Sequence, residues 1–170
     1  HREAPRFSVV AYGKLGGKEL GYASDLDLIF LYDDADERAP ELYARLAQRL
    51  NHWLTTRTAS GVLFETDLRL RPSGESGLLV SSIEAFAQYQ EASAWAWEHQ
   101  ALTRARHCAG DAEVGAAFEA LRTRILMRPR DPVAFRMSLA LLGAGLESGF
   151  TNTPLMALWP RWVIATFEVG

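Results

Sequence analysis

The stretch Val9-Val10-Ala11-Tyr12-Gly13-Lys14-Leu15-Gly16-Gly17-Lys18-Glu19-Leu20-Gly21-Tyr22-Ala23-Ser24-Asp25-Leu26-Asp27-Leu28-Ile29-Phe30 decides the reading of this chain. A hydrophobic run enters a glycine-rich loop, and a second hydrophobic run leaves it with two aspartates one residue apart. In a strand, residues i and i+2 face the same way, so Asp25 and Asp27 present two carboxylates side by side. Leu26, Leu28 and Phe30 supply apolar weight around them. Two like charges held this close are unfavourable unless a cation neutralises them. Hard oxygen ligands favour Mg²⁺, with Mn²⁺ as the alternative. The loop beside them offers backbone N–H groups at close range, which suits a phosphate chain. The pattern predicts a nucleotide-phosphate site with metal.

Working outward, residues 7–12 read as a buried strand and residues 26–32 as a second. The loop between them has room for a short helical turn near 18–20. Leu42, Leu46, Leu50, Trp53 and Leu54 recur at helical spacing, which predicts a helix over 40–56. Residues 63–70 alternate: Glu65, Asp67, Arg69 and Arg71 share one face, and Phe64, Thr66, Leu68 and Leu70 the other. That predicts a third strand, ended by Pro72-Ser73-Gly74, with a short apolar segment over 77–80 leading to an edge strand. Ser81-Ser82-Ile83-Glu84 fits a capping box that opens a helix to about 91. Further helices are expected over 95–106 and, opened by Asp111, over 111–127. Tyr89, Trp95 and Trp97 read as packing residues and the Glu98-His99 pair as structural. One of Arg104 and Arg106 is expected to be solvated.

The 170 residues allow a catalytic domain over 1–110 and a helical extension over 111–170. The extension ends in an atypical apolar tail: residues 131–170 hold five charged side chains, and a helix is expected near 132–146. A hydrophobic share of 48% suffices for a core. The net charge of −3 disfavours a polynucleotide substrate, which normally meets a basic surface. The single Cys108 excludes an internal disulfide or a cysteine metal cluster and fits a reducing cytoplasm. No apolar run is long enough to span a membrane as a helix, and no signal peptide is recognisable. The chain begins with His1 and enters a strand almost at once, as an internal piece of a longer protein does.

The third strand brings Asp67 to the first two aspartates. Two carboxylates from one strand and one from a neighbour can hold two metal ions about 3.5–4 Å apart, a clamp for in-line displacement at phosphorus. Glu65 and Lys18 stand where they support such ligands. Arg69 and Arg71 either neutralise a triphosphate or brace the carboxylates, and Lys14 acts as a point charge in the loop.

The order strand, glycine-rich loop, Ser24-Asp25-Leu26-Asp27, helix, Asp67 strand resembles the DNA polymerase beta-type nucleotidyltransferase superfamily. Within it, residues 12–32, the run Asp67-Leu68-Arg69-Leu70-Arg71-Pro72-Ser73-Gly74 and the run Trp95-Ala96-Trp97-Glu98-His99-Gln100-Ala101-Leu102-Thr103-Arg104-Ala105-Arg106 resemble the glutamate–ammonia-ligase adenylyltransferase family. The resemblance covers residues 6–128. It implies an α/β fold, a small mixed twisted sheet with flanking helices, with the three aspartates on one face. It implies AMP transfer from ATP to a tyrosine of glutamine synthetase. The segment 71–82 is similar to the C-terminal, adenylylating half of that family; the other half removes AMP by phosphorolysis. A regulatory module that only binds nucleotide is the alternative of another class. By resemblance, Asp25, Asp27 and Asp67 hold Mg²⁺ and carry catalysis. Gly13, Lys14, Gly16, Gly17, Ser24, Arg69 and Arg71 contact the nucleotide. Regulation by the signalling protein PII is implied through segments outside this chain.

Overall fold

The computed structural model describes residues 4–129. Strand β1 (Phe7–Ala11) runs antiparallel to β2 (Leu26–Tyr32), with Phe7 opposite Tyr32 and Ala11 opposite Leu28. Between them a four-residue helix, α1 (Gly13–Gly16), opens the glycine-rich loop. Every residue of β2 is buried, so the strand needs cover on both faces and both edges. On one face lies α2 (Ala39–Thr55), opened by Pro40 in its first turn. It buries Ala39, Tyr43 and Ala47 against Phe7, Leu26, Leu28, Phe30 and Tyr32. Tyr43 stacks on Phe7 at 5.7 Å and on Tyr32 at 5.1 Å between ring centroids.

The other face carries α3 (Ile83–Ala92), α4 (Ala96–Ala101) and α5 (Ala112–Leu126). Their Phe86, Ala101, Val114, Phe118, Leu121 and Ile125 enclose Val10, Tyr12, Ile29 and Leu31. Asp111 caps α5 as the sequence predicts, accepting from Glu113 and Val114, whereas α3 is capped one residue later than the expected box, by the Ser82 hydroxyl, which accepts from the Ala85 amide without a reciprocal bond from Glu84. Helix α5, counted above with the extension, thus shares its core with β1 and β2. The expected tail over 131–170 and its helix near 132–146 lie outside the described residues.

Several expectations are corrected. Helices cover both faces of the sheet, so the aspartates sit at its end rather than across an open face. The alternating strand over 63–70 shrinks to β5 (Thr66–Asp67), preceded by a small hairpin of β3 (Arg57–Thr58) and β4 (Gly61–Val62). Its cause is local: the Asp67 side chain accepts from the Arg69 amide at 2.9 Å, a turn that ends the strand. The helix expected over 95–106 stops at Ala101, passes through a 3₁₀ turn (Leu102–Arg104) and becomes strand β7 (Arg106–Gly110). That strand pairs antiparallel with β1, whose free edge outweighs any helical tendency of the segment. Trp95 is exposed rather than packed, while Trp97 packs against the core.

The sheet order is β5-β2-β1-β7, and β6 (Val80–Ser82) also pairs with β2. Strands β5 and β6 therefore share one edge of β2, both parallel to it, at Leu26–Asp27 and at Phe30–Tyr32. Among the described residues no helix is long and apolar enough to cross a membrane.

Phe118 is fully buried and meets Phe86 at 6.1 Å between centroids. Phe118→Ala is expected to lower the unfolding free energy by about 3–5 kcal/mol, measured by denaturant titration. Trp53→Ala, at an exposed site, should change it by less than about 0.5 kcal/mol.

Candidate active site

The parallel pairing of β2 and β5 sets the centre of the site, because Asp27 lies in register beside Asp67. Both are buried, at 3% and 8% exposure. Asp25 precedes β2 and lines a cavity of about 570 Å³ together with Asn51, Glu65, Thr66, Asp67, Leu68, Arg69, Arg71 and Glu75. Three carboxylates thus meet at the start of β2, where the glycine-rich loop delivers the chain into the sheet.

Their electrostatics are uneven. Burial pushes the Asp27 carboxyl up to about 7, and the charges of Asp25 and Asp67 push the same way against Arg69 and Lys14. Asp67 is held by its neighbour. Its Oδ1 accepts from the Arg69 amide and Nε, and its Oδ2 from Nε and Nη2. The fork is the strong, oriented kind of pair, and it holds Arg69 protonated above its ordinary range.

Not all the expected residues do what the sequence suggested. Arg71 donates to the carbonyls of Leu68 at 2.6 Å, Glu75 at 3.2 Å and Gly77 at 3.3 Å, so it braces its own loop. The amides of Gly16 and Gly17 donate to the Tyr12 and Gly13 carbonyls. The amides of Gly13, Lys14 and Leu15 precede the turn's i→i−4 bonds. Gly16 serves a different need: a Cβ there would stand 1.8 Å from the Arg104 carbonyl oxygen. The Ser24 hydroxyl accepts from the Gly21 amide at 3.1 Å and folds the end of the loop toward Asp25. Lys18 takes a left-handed backbone, φ 61°, and Lys14 lies near enough to Asp27 to lower its pKa.

Among the described residues no three Asp, Glu, His or Cys side chains close into a metal-binding cluster. Arg69 occupies oxygens of Asp67 that a closed cluster would need. The donor chemistry still suits a hard divalent cation. All three groups are carboxylates, and the raised pKa of Asp27 marks a place where positive charge is in deficit.

A family model described as glutamate-ammonia ligase adenylyltransferase matches residues 1–121. The chain belongs to that family. The bifunctional glutamine synthetase adenylyltransferase/adenylyl-removing enzyme of Aromatoleum aromaticum is 68% identical over 136 residues, 80% of this chain and 14% of its own length. The same-named proteins of Ralstonia nicotianae and Chromobacterium violaceum are 60% and 68% identical, over 93% and 80% of this chain. The chain spans about one sixth of the length of these relatives. A solved toxin–antitoxin structure with AMP-PNP aligns at a TM-score of 0.32 and 14% identity, over 86% of this chain and 89% of that one, too distant to carry an argument.

In this member of the glutamate-ammonia ligase adenylyltransferase family, sequence reading missed four lining residues: Asn51 and Glu75, and Thr66 and Leu68, which the alternation had placed on the face away from Asp67. Asn51 sits late in α2 and its Oδ1 accepts from the Thr66 hydroxyl at 2.6 Å, tying the helix to β5 beside Asp67. A polar, poorly helix-forming residue within an amphipathic helix was the available signal. Glu75 lies in a turn that only tertiary folding brings over the cavity.

The displaced Asp27 equilibrium has a sign that stability measurements can read. Between its ordinary value of 3.8 and about 7, the folded chain keeps a proton that the unfolded chain has released. Rising pH therefore destabilises the fold through that window, and the loss is complete above it. In buffer free of divalent cations, Asp27→Asn is expected to remove this decline and to be the more stable chain at pH 8, by an amount on the order of 2 kcal/mol. Thermal unfolding of both chains from pH 4 to pH 8 checks it; parallel curves would refute the assignment.

Proposed function

We propose that this chain is an adenylylating nucleotidyltransferase domain that transfers AMP from ATP to a tyrosine hydroxyl of glutamine synthetase. The observation that carries the reading is the registered pair Asp27–Asp67 beside Asp25, a group of three carboxylates at the exit of a glycine-rich loop. Family membership and relatives named for glutamine synthetase adenylyltransfer and adenylyl removal support the choice of acceptor.

In this reading Asp25 and Asp27 hold Mg²⁺, with Asp67 completing the set once Arg69 yields part of its grip. When bound, the metal neutralises triphosphate charge and polarises the phosphoryl oxygens. The chain's own groups do the rest. The glycine-rich turn at Gly13–Leu15 and the Lys14 ammonium take the phosphate chain. The tyrosine oxygen bonds to the α-phosphorus as the bond to the bridging oxygen breaks, and pyrophosphate leaves. The phenolic proton passes to the Asp67 carboxylate, which Arg69 orients. Arg69 also counters negative charge as it builds near the phosphorus.

The test is AMP transfer from radiolabelled ATP to unmodified glutamine synthetase with Mg²⁺, beside Asp25→Asn and Asp27→Asn. Transfer that falls at least about 1,000-fold in each variant is expected, since each removes a charged ligand for the cation that would neutralise the reacting phosphate. ADP release from adenylylated synthetase on adding phosphate, without forward transfer, would instead make this the removing half. Nucleotide binding with turnover in neither direction would make it a regulatory module.

A further inference from the structure

The run Trp95–Arg106 is absent from the cavity wall, yet its side chains reach toward two loops next to the carboxylates: the glycine-rich loop that leads into Asp25, and the 71–77 loop that lines the cavity. Arg106, near the end of that run, donates from Nε to the Gly16 carbonyl at 3.0 Å and from Nη2 to the Leu15 carbonyl at 3.0 Å. Those carbonyls end α1, where a cation finds the negative end of the turn, and at Leu15 the guanidinium joins the Lys18 amide, which donates to the same carbonyl at 3.2 Å. Arg104 reinforces the same place. Its side chain pairs with Glu19, and its carbonyl packs where Gly16 has no Cβ.

Glu98 serves the opposite loop. It is 6% exposed, and burial raises its pKa. Its Oε1 accepts from the Trp95 amide at 3.1 Å and from the Tyr89 hydroxyl at 3.0 Å. The Ser73 backbone lies close enough to that same hydroxyl to act on it, and burial with the Glu98 charge pushes the phenol up to about 12. Ser73 has a left-handed backbone, φ 62°, a conformation that its surroundings must hold in place. From there the chain turns through Gly74–Ser76 to Gly77, where a Cβ would stand 1.9 Å from the Pro72 carbonyl oxygen. Within this tight loop Glu75 and Arg71 line the cavity.

We infer that Arg106 and Glu98 are positioning residues for the two loops that flank the carboxylates, Arg106 holding the glycine-rich loop that leads into Asp25 through the Leu15 and Gly16 carbonyls, and Glu98 the 71–77 loop that lines the cavity, through Tyr89 and Ser73. Neither touches the reacting atoms. The segment 95–106 is a rigid back-plate, and it explains why Arg104 and Arg106, three elements away from the aspartates, are both engaged rather than solvated. The inference rests on the adenylyltransferase reading for its kinetic arm only.

The experiment uses the full 170-residue chain and four variants: Arg106→Gln, Arg106→Lys, Glu98→Met and Glu98→Gln. Amide hydrogen exchange is followed by mass spectrometry over 13–24 and 71–77, with β2 as the internal standard for global opening. Arg106→Gln should speed exchange over 13–24 by about tenfold, the scale of one lost charged pair of hydrogen bonds, with β2 unchanged. Glu98→Met should do the same over 71–77. Arg106→Lys keeps one donor and should fall between the wild type and Arg106→Gln. Glu98→Gln keeps the acceptor for Tyr89 and should restore slow exchange. In the transfer assay both disruptive variants should raise KM for Mg·ATP more than they lower kcat. Faster exchange spread equally through β2, or unchanged exchange in both loops, would overturn the inference. A wild-type chain that binds no ATP would sink the function while leaving the exchange result to decide the positioning.

Discussion

Strand β2 has no solvent-facing residue, and that constraint organises the molecule. A strand buried on both faces cannot be served by one layer of helices, so α2 takes the side of Leu26, Leu28, Phe30 and Tyr32 while α3, α4 and α5 take the side of Ile29 and Leu31. Both of its edges must also be filled, because an unpaired backbone group in such a place is strongly unfavourable. The chain fills one edge with β1 and divides the other between β5 and β6. The break between those two short strands is what makes room for a cavity. Had one long strand run the length of β2, residues 68–79 would lie flat in the sheet and no loop would stand over Asp67.

The carboxylates occupy the end of β2 where this cover runs out. Asp27 continues the face of Ile29 and Leu31, so it points toward the side of the larger core but ahead of it. Its burial is a consequence of the strand's burial, and its raised pKa is a consequence of both that burial and its like-charged neighbours. The fold thus holds a group in an environment that disfavours its charge, a tension that local packing alone would not create and that positive charge relieves. Arg69 pairs directly with Asp67 and acts on Asp27, as Lys14 does, only through its charge. The asymmetry leaves Asp27 as the member most responsive to an arriving cation.

How far this was legible follows from where each signal lies in the chain. Strands β1 and β2, helix α2, the Asp111 cap and, to within one residue, the Ser82 cap were readable because their causes are local: apolar runs, helical spacing, a hydroxyl or carboxylate at the right offset. The juxtaposition of Asp27 with Asp67 was readable as well, since two acidic strands separated by a helix have few ways to share a sheet. Strand β7 was not. Arg106-His107-Cys108-Ala109-Gly110 has no alternation, and only the free edge of β1 makes it a strand. The arginines were the hardest to place. A guanidinium five or six bonds from its backbone chooses among acceptors that tertiary structure supplies, so Arg71 went to three carbonyls of its own loop and Arg106 to two carbonyls about ninety residues away.

These choices share a physical logic. A carbonyl at the end of a short helical turn or within a tight loop has no intrahelical partner, and a buried or half-buried one needs a donor. A neutral donor would satisfy one such group; an arginine satisfies two or three and fixes their spacing in a plane. Both loops beside the carboxylates are therefore shaped by arginines: Arg106 holds the glycine-rich loop from outside the cavity, and Arg71 braces its own loop while lining it. The carboxylate cluster is cancelled only in part, by the Arg69 fork on Asp67 and by the charges of Arg69 and Lys14 acting on Asp27. Most of the guanidinium donors near the site go to backbone carbonyls, which fixes the loops and leaves three carboxylates against few counter-charges.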